Sequence, residues 1–162
     1  MNRSLTVSWQ DPRTLADAAR SMAGIDFLRA IAEGRLPQPP IAELLGFRLT
    51  EVRPGEAVFE AVPGEHHYNP IGVVHGGLAM TMLDSCMACA VQTQVPGGSG
   101  YTTLEAKINL VRPITSATGK LRAIGKTIHV GSRIGTAAGR LEDASGKLYA
   151  HATTTCMVLA NN

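Results

Sequence analysis

The stretch that decides the reading is HHYNPIGVVHGGLAMTMLDSCMACAVQTQ, His66 to Gln94. From Leu78 to Gln94 it holds no Gly and no Pro and is apolar at most positions. A run of that length is too long for a strand, so it is expected as a helix, and its apolarity requires burial on most faces. Asp84 stands in the middle of this run, where a carboxylate is costly to bury unless it is paired or used. Directly before the run lies a polar loop that opens on Asn69-Pro70 and ends on His75-Gly76-Gly77.

Outward from this segment the pattern changes to strands. FRLTEV and AVFEAV, separated by RPGE, read as strand, tight turn, strand, with Phe47, Leu49, Val58 and Val62 alternating about Pro54-Gly55. After PGGSG (Pro96 to Gly100), Leu104, Ala106, Ile108 and Leu110 alternate with Glu105, Lys107 and Asn109, which predicts a strand with one wet face. KLRAIGKTIHV, RIGTAAGRLE and LYAHATTTCMVL supply three more strands, the last two joined by a hairpin turn at EDASGK. One buried helix among antiparallel strands is an α+β arrangement, with the sheet wrapped around the helix.

Ahead of the first strand, Asp11-Pro12 reads as an N-cap and first-turn proline, and Leu15 to Ala32 as one helix stopping at Gly34. LPQPP (Leu36 to Pro40) is a stiff connector. Residues 1–40 are therefore expected as a peripheral helical leader and residues 41–162 as the domain proper. Three uses for the leader stay open: capping a substrate tunnel, extending a dimer contact, or decorating the fold.

At 162 residues, 44% hydrophobic and 17% charged, the chain suits one globular domain. A net charge of +2 is too small to suggest nucleic acid, though it suits a mildly anionic ligand. Three cysteines give no disulfide framework and point to a reducing cytoplasm. The N-terminal MNRSLTVSWQDPR lacks the apolar core of a signal peptide. Leu78 to Val95 approaches the length of a membrane span, but Thr81, Asp84, Ser85 and Gln92 to Gln94 disfavour insertion. The expectation is an intracellular protein with no membrane and no nucleic-acid partner.

Several motifs carry little. Cys86 and Cys89 form a CxxC inside the apolar run, where cysteine packs as a small hydrophobe. Gly125-Lys126-Thr127 looks like the end of a phosphate-binding loop, but Lys120 stands where that loop needs glycine. No GxSxG is present. His66, His67 and His75 lack the spacing of metal ligands, so no metal and no cofactor are expected.

The loop ahead of the helix carries more. Gly76 and Gly77 allow a tight turn and a close approach of backbone N–H groups to a ligand. The first N–H groups of a helix lack internal partners and sit at the positive end of its dipole. They are donors for a carbonyl oxygen gaining negative charge. Asp84 adds a base or nucleophile. The eight residues between Gly76 and Asp84 amount to about 12 Å along one helix, too far for both to serve one carbonyl. If they act together, Asp84 serves the Gly76 of a second copy, which predicts a two-fold dimer with shared active sites.

These residues resemble a known family. Asn-Pro-x-Gly-x-x-His-Gly-Gly, an Asp eight residues after the first Gly of that pair, and a strand ending LVRP are similar to the hotdog-fold acyl-CoA thioesterases of the phenylacetic-acid-degradation (PaaI-like) group. The likeness spans about Leu44 to Leu159 and leaves the leader outside. It implies a thioesterase that hydrolyses acyl-CoA, with the Gly76 N–H polarising the thioester carbonyl, His75 beside it and Gly77 at the substrate. Asn69 would position the water or the carbonyl. Asp84 of the partner subunit would act as general base, or as nucleophile through a mixed anhydride. The family's Ser or Thr early in the next strand falls on Thr103 when counted back from Pro113, whereas simple alternation puts Thr102 on the face of Leu104 and Ala106. Arg112 and Arg133 are the candidates for the phosphates of coenzyme A. The resemblance also implies a dimer or a dimer of dimers. A non-catalytic acyl-CoA-binding or sensing hotdog module is the alternative. The dehydratase branch of the fold is less suited, because its acid and histidine are placed differently.

Overall fold

The computed structural model describes residues 2–159, so the first residue of the leader and the last three of the chain lie outside it. In chain order the elements are α1 (Arg13–Ser21), α2 (Gly24–Ala32), α3 (Pro40–Leu45), β1 (Phe47–Arg53), β2 (Glu56–Ala61), α4 (Gly76–Gln92), β3 (Gly100–Leu110), β4 (Leu121–Val130), β5 (Ile134–Asp143) and β6 (Leu148–Leu159). The strands form one antiparallel sheet in the order β1-β2-β4-β5-β6-β3. This is the expected α+β hotdog arrangement, with the sheet packed around α4.

α4 is the core. Met82, Leu83, Cys86, Met87 and Val91 are fully buried along it, and each large apolar side chain so buried contributes about 1.5–3 kcal/mol. The helix lies close on the sheet because the strands beneath it carry glycine. A Cβ on Gly125 would stand 2.2 Å from the Cys86 carbonyl oxygen, and one on Gly135 would stand 2.6 Å from Val91 Cγ1. Gly125 in GKT thus serves packing and no phosphate. The helix begins two residues earlier than the sequence pattern predicts, because His75 caps it. It ends at Gln92, where the Thr93 hydroxyl donates to the Ala90 carbonyl at 2.6 Å and accepts the Gly55 N–H at 2.8 Å.

Two expectations are corrected. On β2 the inner face is Ala57, Phe59 and Ala61, with Phe59 edge-on to Phe47 at 5.6 Å. Val58 is buried on the opposite face, and Val62 lies beyond the strand end and is exposed. The leader is neither one helix nor peripheral. Met22 and Ala23 are extended, and Gly24 sits so tightly on the end of α4 that a Cβ there would be 2.0 Å from the Gln92 carbonyl oxygen. A continuous helix from Leu15 could not turn into that contact. α2 then buries Phe27, Leu28, Ala30 and Ile31. The connector is pinned by buried Gln38, which accepts the Leu49 N–H at 3.0 Å and donates to the Ile31 carbonyl at 3.4 Å. Pro40 opens the short α3, which the sequence pattern did not indicate.

Candidate active site

α4 leaves one stripe half-covered by its own chain: Gly77, Met80, Thr81, Asp84, Ser85 and Cys89. These positions recur every three or four residues, so they share a face. The sequence-predicted site residues divide between the two ends of this face.

At the N-terminal end, the loop from Asn69 is held by its own side chain. Asn69 Oδ1 accepts the Ile71 N–H at 3.0 Å and the Val73 N–H at 3.3 Å. Two backbone donors fix that atom as oxygen, which leaves the side-chain NH2 free to donate elsewhere. His67 anchors the same loop: Nδ1 accepts the Gly64 N–H at 3.0 Å, Nε2 donates to the Leu45 carbonyl at 3.0 Å, and its carbonyl accepts the His75 N–H at 2.8 Å. Burial, followed by the charge of neighbouring His66, holds the His67 imidazole below its ordinary range, so the ring is kept neutral.

His75 caps the helix, its Nδ1 accepting the Gly77 N–H at 2.8 Å. This sharpens the reading of the His-Gly-Gly turn: the Gly77 donor is taken by His75. The Gly76 N–H has no partner among the described hydrogen bonds. It lines a cleft of about 300 Å³ together with Asn69, Ala79, Leu110, Arg112 and Ile114. Leu110 packs over the turn so closely that a Cβ on Gly76 would fall 2.5 Å from its Cδ1. The sequence pattern marks Leu110 only as an inward strand residue. Arg112 stands at this cleft with its guanidinium donating to the Leu148 carbonyl. Arg133 does not; its carbonyl accepts the Val158 N–H on the far stretch of β6, near the start of β3.

Asp84 lies two turns along the same unbroken helix, about 12 Å from Gly76. Its Oδ1 accepts a hydrogen bond from the Thr103 hydroxyl at 3.0 Å. None of the ion pairs among the described residues includes Asp84. The choice between Thr102 and Thr103 turns on a β-bulge. β3 pairs with β6 in register from Gly100 to Thr103 and again from Glu105 onward, with Leu104 as the extra residue. Tyr101 and Thr103 lie opposite the buried Val158 and Cys156, and Ala106 and Ile108 lie opposite the buried Thr154 and Ala152. The bulge thus puts Thr103 on the inner face and turns Thr102 outward. Alternation alone fails here because one added residue reverses parity.

The remaining neighbours are quiet. Burial, with a smaller contribution from the Asp84 charge, pushes the Cys89 thiol up to about 12. Burial raises the Cys86 thiol and the Tyr101 hydroxyl well above their usual ranges too. Thiols that do not ionise near neutrality are poor redox or metal groups, so the CxxC packs, as its position predicts.

Comparison with known proteins gives a consistent answer. A model of the thioesterase superfamily matches residues 71–150, which takes in Gly76, Asp84, Thr103, Arg112 and Arg133 and starts just after Asn69. A candidate esterase of Saccharolobus solfataricus is 30% identical over 134 residues, covering 83% of this chain and 94% of that protein. Among solved structures, a candidate thioesterase from Ralstonia eutropha JMP134, described as related to phenylacetic acid degradation, is 30% identical. It matches with a TM-score of 0.72 over 80% of this chain and 98% of its own. A single-residue variant of the phenylacetic acid degradation protein PaaI from Thermus thermophilus is 28% identical, with a TM-score of 0.65 over 73% and 97%. No helix among the described residues is long and apolar enough to cross a membrane. This chain belongs to the thioesterase superfamily, in its PaaI-like hotdog branch.

Proposed function

We propose that the protein hydrolyses acyl-CoA thioesters in sites shared between two copies of the chain. Membership of the superfamily supports thioester hydrolysis in general; the substrate and the roles below are our reading. The observation that carries it is the division of α4 into a donor end, with an unpartnered Gly76 N–H, and an oriented acid about 12 Å away.

In this reading the thioester carbonyl sits in the cleft of one protomer, polarised by the Gly76 N–H at the positive end of the helix dipole and by the Asn69 side-chain amide. Asp84 comes from the partner. Thr103 donates to one carboxylate oxygen, and the other has no partner among the described hydrogen bonds, so it is available to take a proton from water or to attack the carbonyl directly. As base, Asp84 activates a water that displaces the thiolate of coenzyme A. As nucleophile it displaces the thiolate itself, forming a mixed anhydride that water then hydrolyses. By either route the C–S electron pair leaves on sulfur and the acyl group ends as carboxylate. Arg112 beside the cleft suits the anionic phosphates of the carrier. Arg133, near the Asp84 half, would meet them only through the partner's site. His75 sets the turn and leaves the carbonyl to its neighbours.

A second copy is supported by β3 as well. It is an eleven-residue strand at the sheet edge, and a long unpaired edge invites pairing with another chain. An acid that is oriented but not ion-paired favours an enzyme over a binding module, since a sensor needs the pocket and not the base. The test is release of free thiol from a panel of short-chain, long-chain and aryl-acyl CoA thioesters. Turnover of at least one is expected; binding without turnover of any would leave the sensing module standing in its place.

A further inference from the structure

We propose that leader helices α1 and α2 wall a pocket for the apolar end of the acyl group, so that the leader sets which thioesters the site accepts. This rests on the thioester reading above and adds the substrate class to it.

A second cavity, of about 310 Å³, lies at the far end of α4. Leu15 and Ala19 of α1, Leu28 of α2, Phe59 of β2, Cys89 of α4 and Tyr101 of β3 form its walls, and no charged side chain lines it. It continues the Asp84 half-site along two elements at once. Tyr101 precedes Thr103 by two residues on the same inner face of β3, a separation of about 7 Å. Cys89 follows Asp84 by five residues, about 7.5 Å along the helix. A carbonyl within about 3 Å of Asp84 therefore lies within roughly 10 Å of two residues of the cavity wall, Cys89 and Tyr101.

Size and chemistry choose the occupant. The volume is about twice the ~150 Å³ of an apolar cavity that takes up benzene, which suits an acyl group of roughly six to ten carbons, saturated or ending in a ring. An acyl group with a charged end would find no opposite charge on these walls, only the polar groups of Gln92 and Tyr101.

The wall is fixed in place. Gly24 presses on the Gln92 carbonyl, Leu28 and Ile31 are buried, and Gln38 ties α2 to β1. α1 has no fully buried residue of its own, and its inner face of Leu15, Ala18 and Ala19 packs onto the core. The leader also lies outside the residues 71–150 shared with the superfamily model. Selectivity built into it would therefore lie outside the part matched by the superfamily model.

The experiment uses two non-hydrolysable thioethers, S-ethyl-CoA and S-octyl-CoA, titrated calorimetrically into the full-length protein. At about 0.8 kcal/mol per buried methylene, the octyl compound is expected to bind at least a hundredfold tighter. Ala19→Trp, which fills the cavity, should bring the ratio below tenfold without changing the affinity for S-ethyl-CoA. Ala16→Trp, at the exposed rim, should act in the same direction but less, and it carries the test if Ala19→Trp does not fold. A ratio near one in the unmodified protein, a ratio that neither variant changes, or no binding of either thioether overturns the proposal. An unmodified protein that cleaves no thioester yet shows the ratio and its loss keeps the pocket and removes the hydrolase. One that cleaves short and long acyl-CoAs equally, before and after Ala19→Trp, keeps the hydrolase and removes the pocket.

Discussion

The two ends of α4 are built on opposite principles. The front, around Gly76, is backbone chemistry: a turn of small residues, a capping histidine and a loop that Asn69 ties to itself leave the Gly76 N–H without a partner among the described hydrogen bonds, at the wall of a cleft. The rear, around Asp84, is side-chain chemistry: an acid oriented by Thr103, with apolar walls beyond it. α4 holds the two ends about 12 Å apart, so one carbonyl does not reach both within one chain. In the proposed reading, each end of the helix supplies half of a site in a two-fold dimer.

The comparison predicts that damage to the two ends differs in kind. Asp84→Asn keeps the shape of the side chain and should leave the fold intact, while lowering kcat by about 10²–10⁴; kcat within tenfold of the unmodified protein would take Asp84 out of the mechanism. At the front, Asn69→Asp keeps an oxygen for the Ile71 and Val73 N–H groups and loses only the donor. It should cost about 10²–10³ in kcat with an unchanged melting temperature. A large fall in stability would show instead that the amide matters only to the loop.

Thr103→Ala should lower kcat about tenfold, the worth of roughly 1.5 kcal/mol in a hydrogen bond to a charged group. Thr103→Ser should restore it, and Thr102→Ala should do nothing. The reverse ranking would remove the bulge at Leu104. The smallest effect concerns the anchor of the front loop. His67 is held neutral in the fold, with its protonation depressed by burial. The unfolded chain therefore binds the extra proton first as pH falls, so His67 contributes fully above about pH 6.5, and that contribution is lost as pH drops toward the lower folded value. The melting temperature should fall with acidification through this window, and His67→Gln should flatten the fall.

Much of this arrangement is legible in the residues. The central helix follows from a long run without Gly or Pro, the hairpins from their turns, and the separation of Gly76 from Asp84 from helix rise alone. Three features are not legible, each because a tertiary contact overrides a local pattern. The leader breaks at Ala23 because Gly24 must meet the end of α4. Thr103 faces inward because Leu104 bulges. Gly77 gives its N–H to His75, although it and Gly76 look alike in the sequence. Local periodicity holds no information about which glycine a side chain will satisfy or where a strand takes an extra residue. The positions of Asn69, Gly76 and Asp84 needed neither, and those three are the positions on which the proposed shared site rests.

That sharing can be tested directly by complementation. Asp84→Ala and Asn69→Ala proteins, each inactive alone, are mixed under conditions in which subunits exchange, and thiol release is followed. Half of the dimers become hybrids, and in each hybrid one site draws its intact Asn69 and its intact Asp84 from different chains. The account predicts recovery of roughly a quarter of the unmodified activity. If exchange is demonstrated and no activity returns, Asp84 and Asn69 do not meet across the interface, and the shared site is wrong.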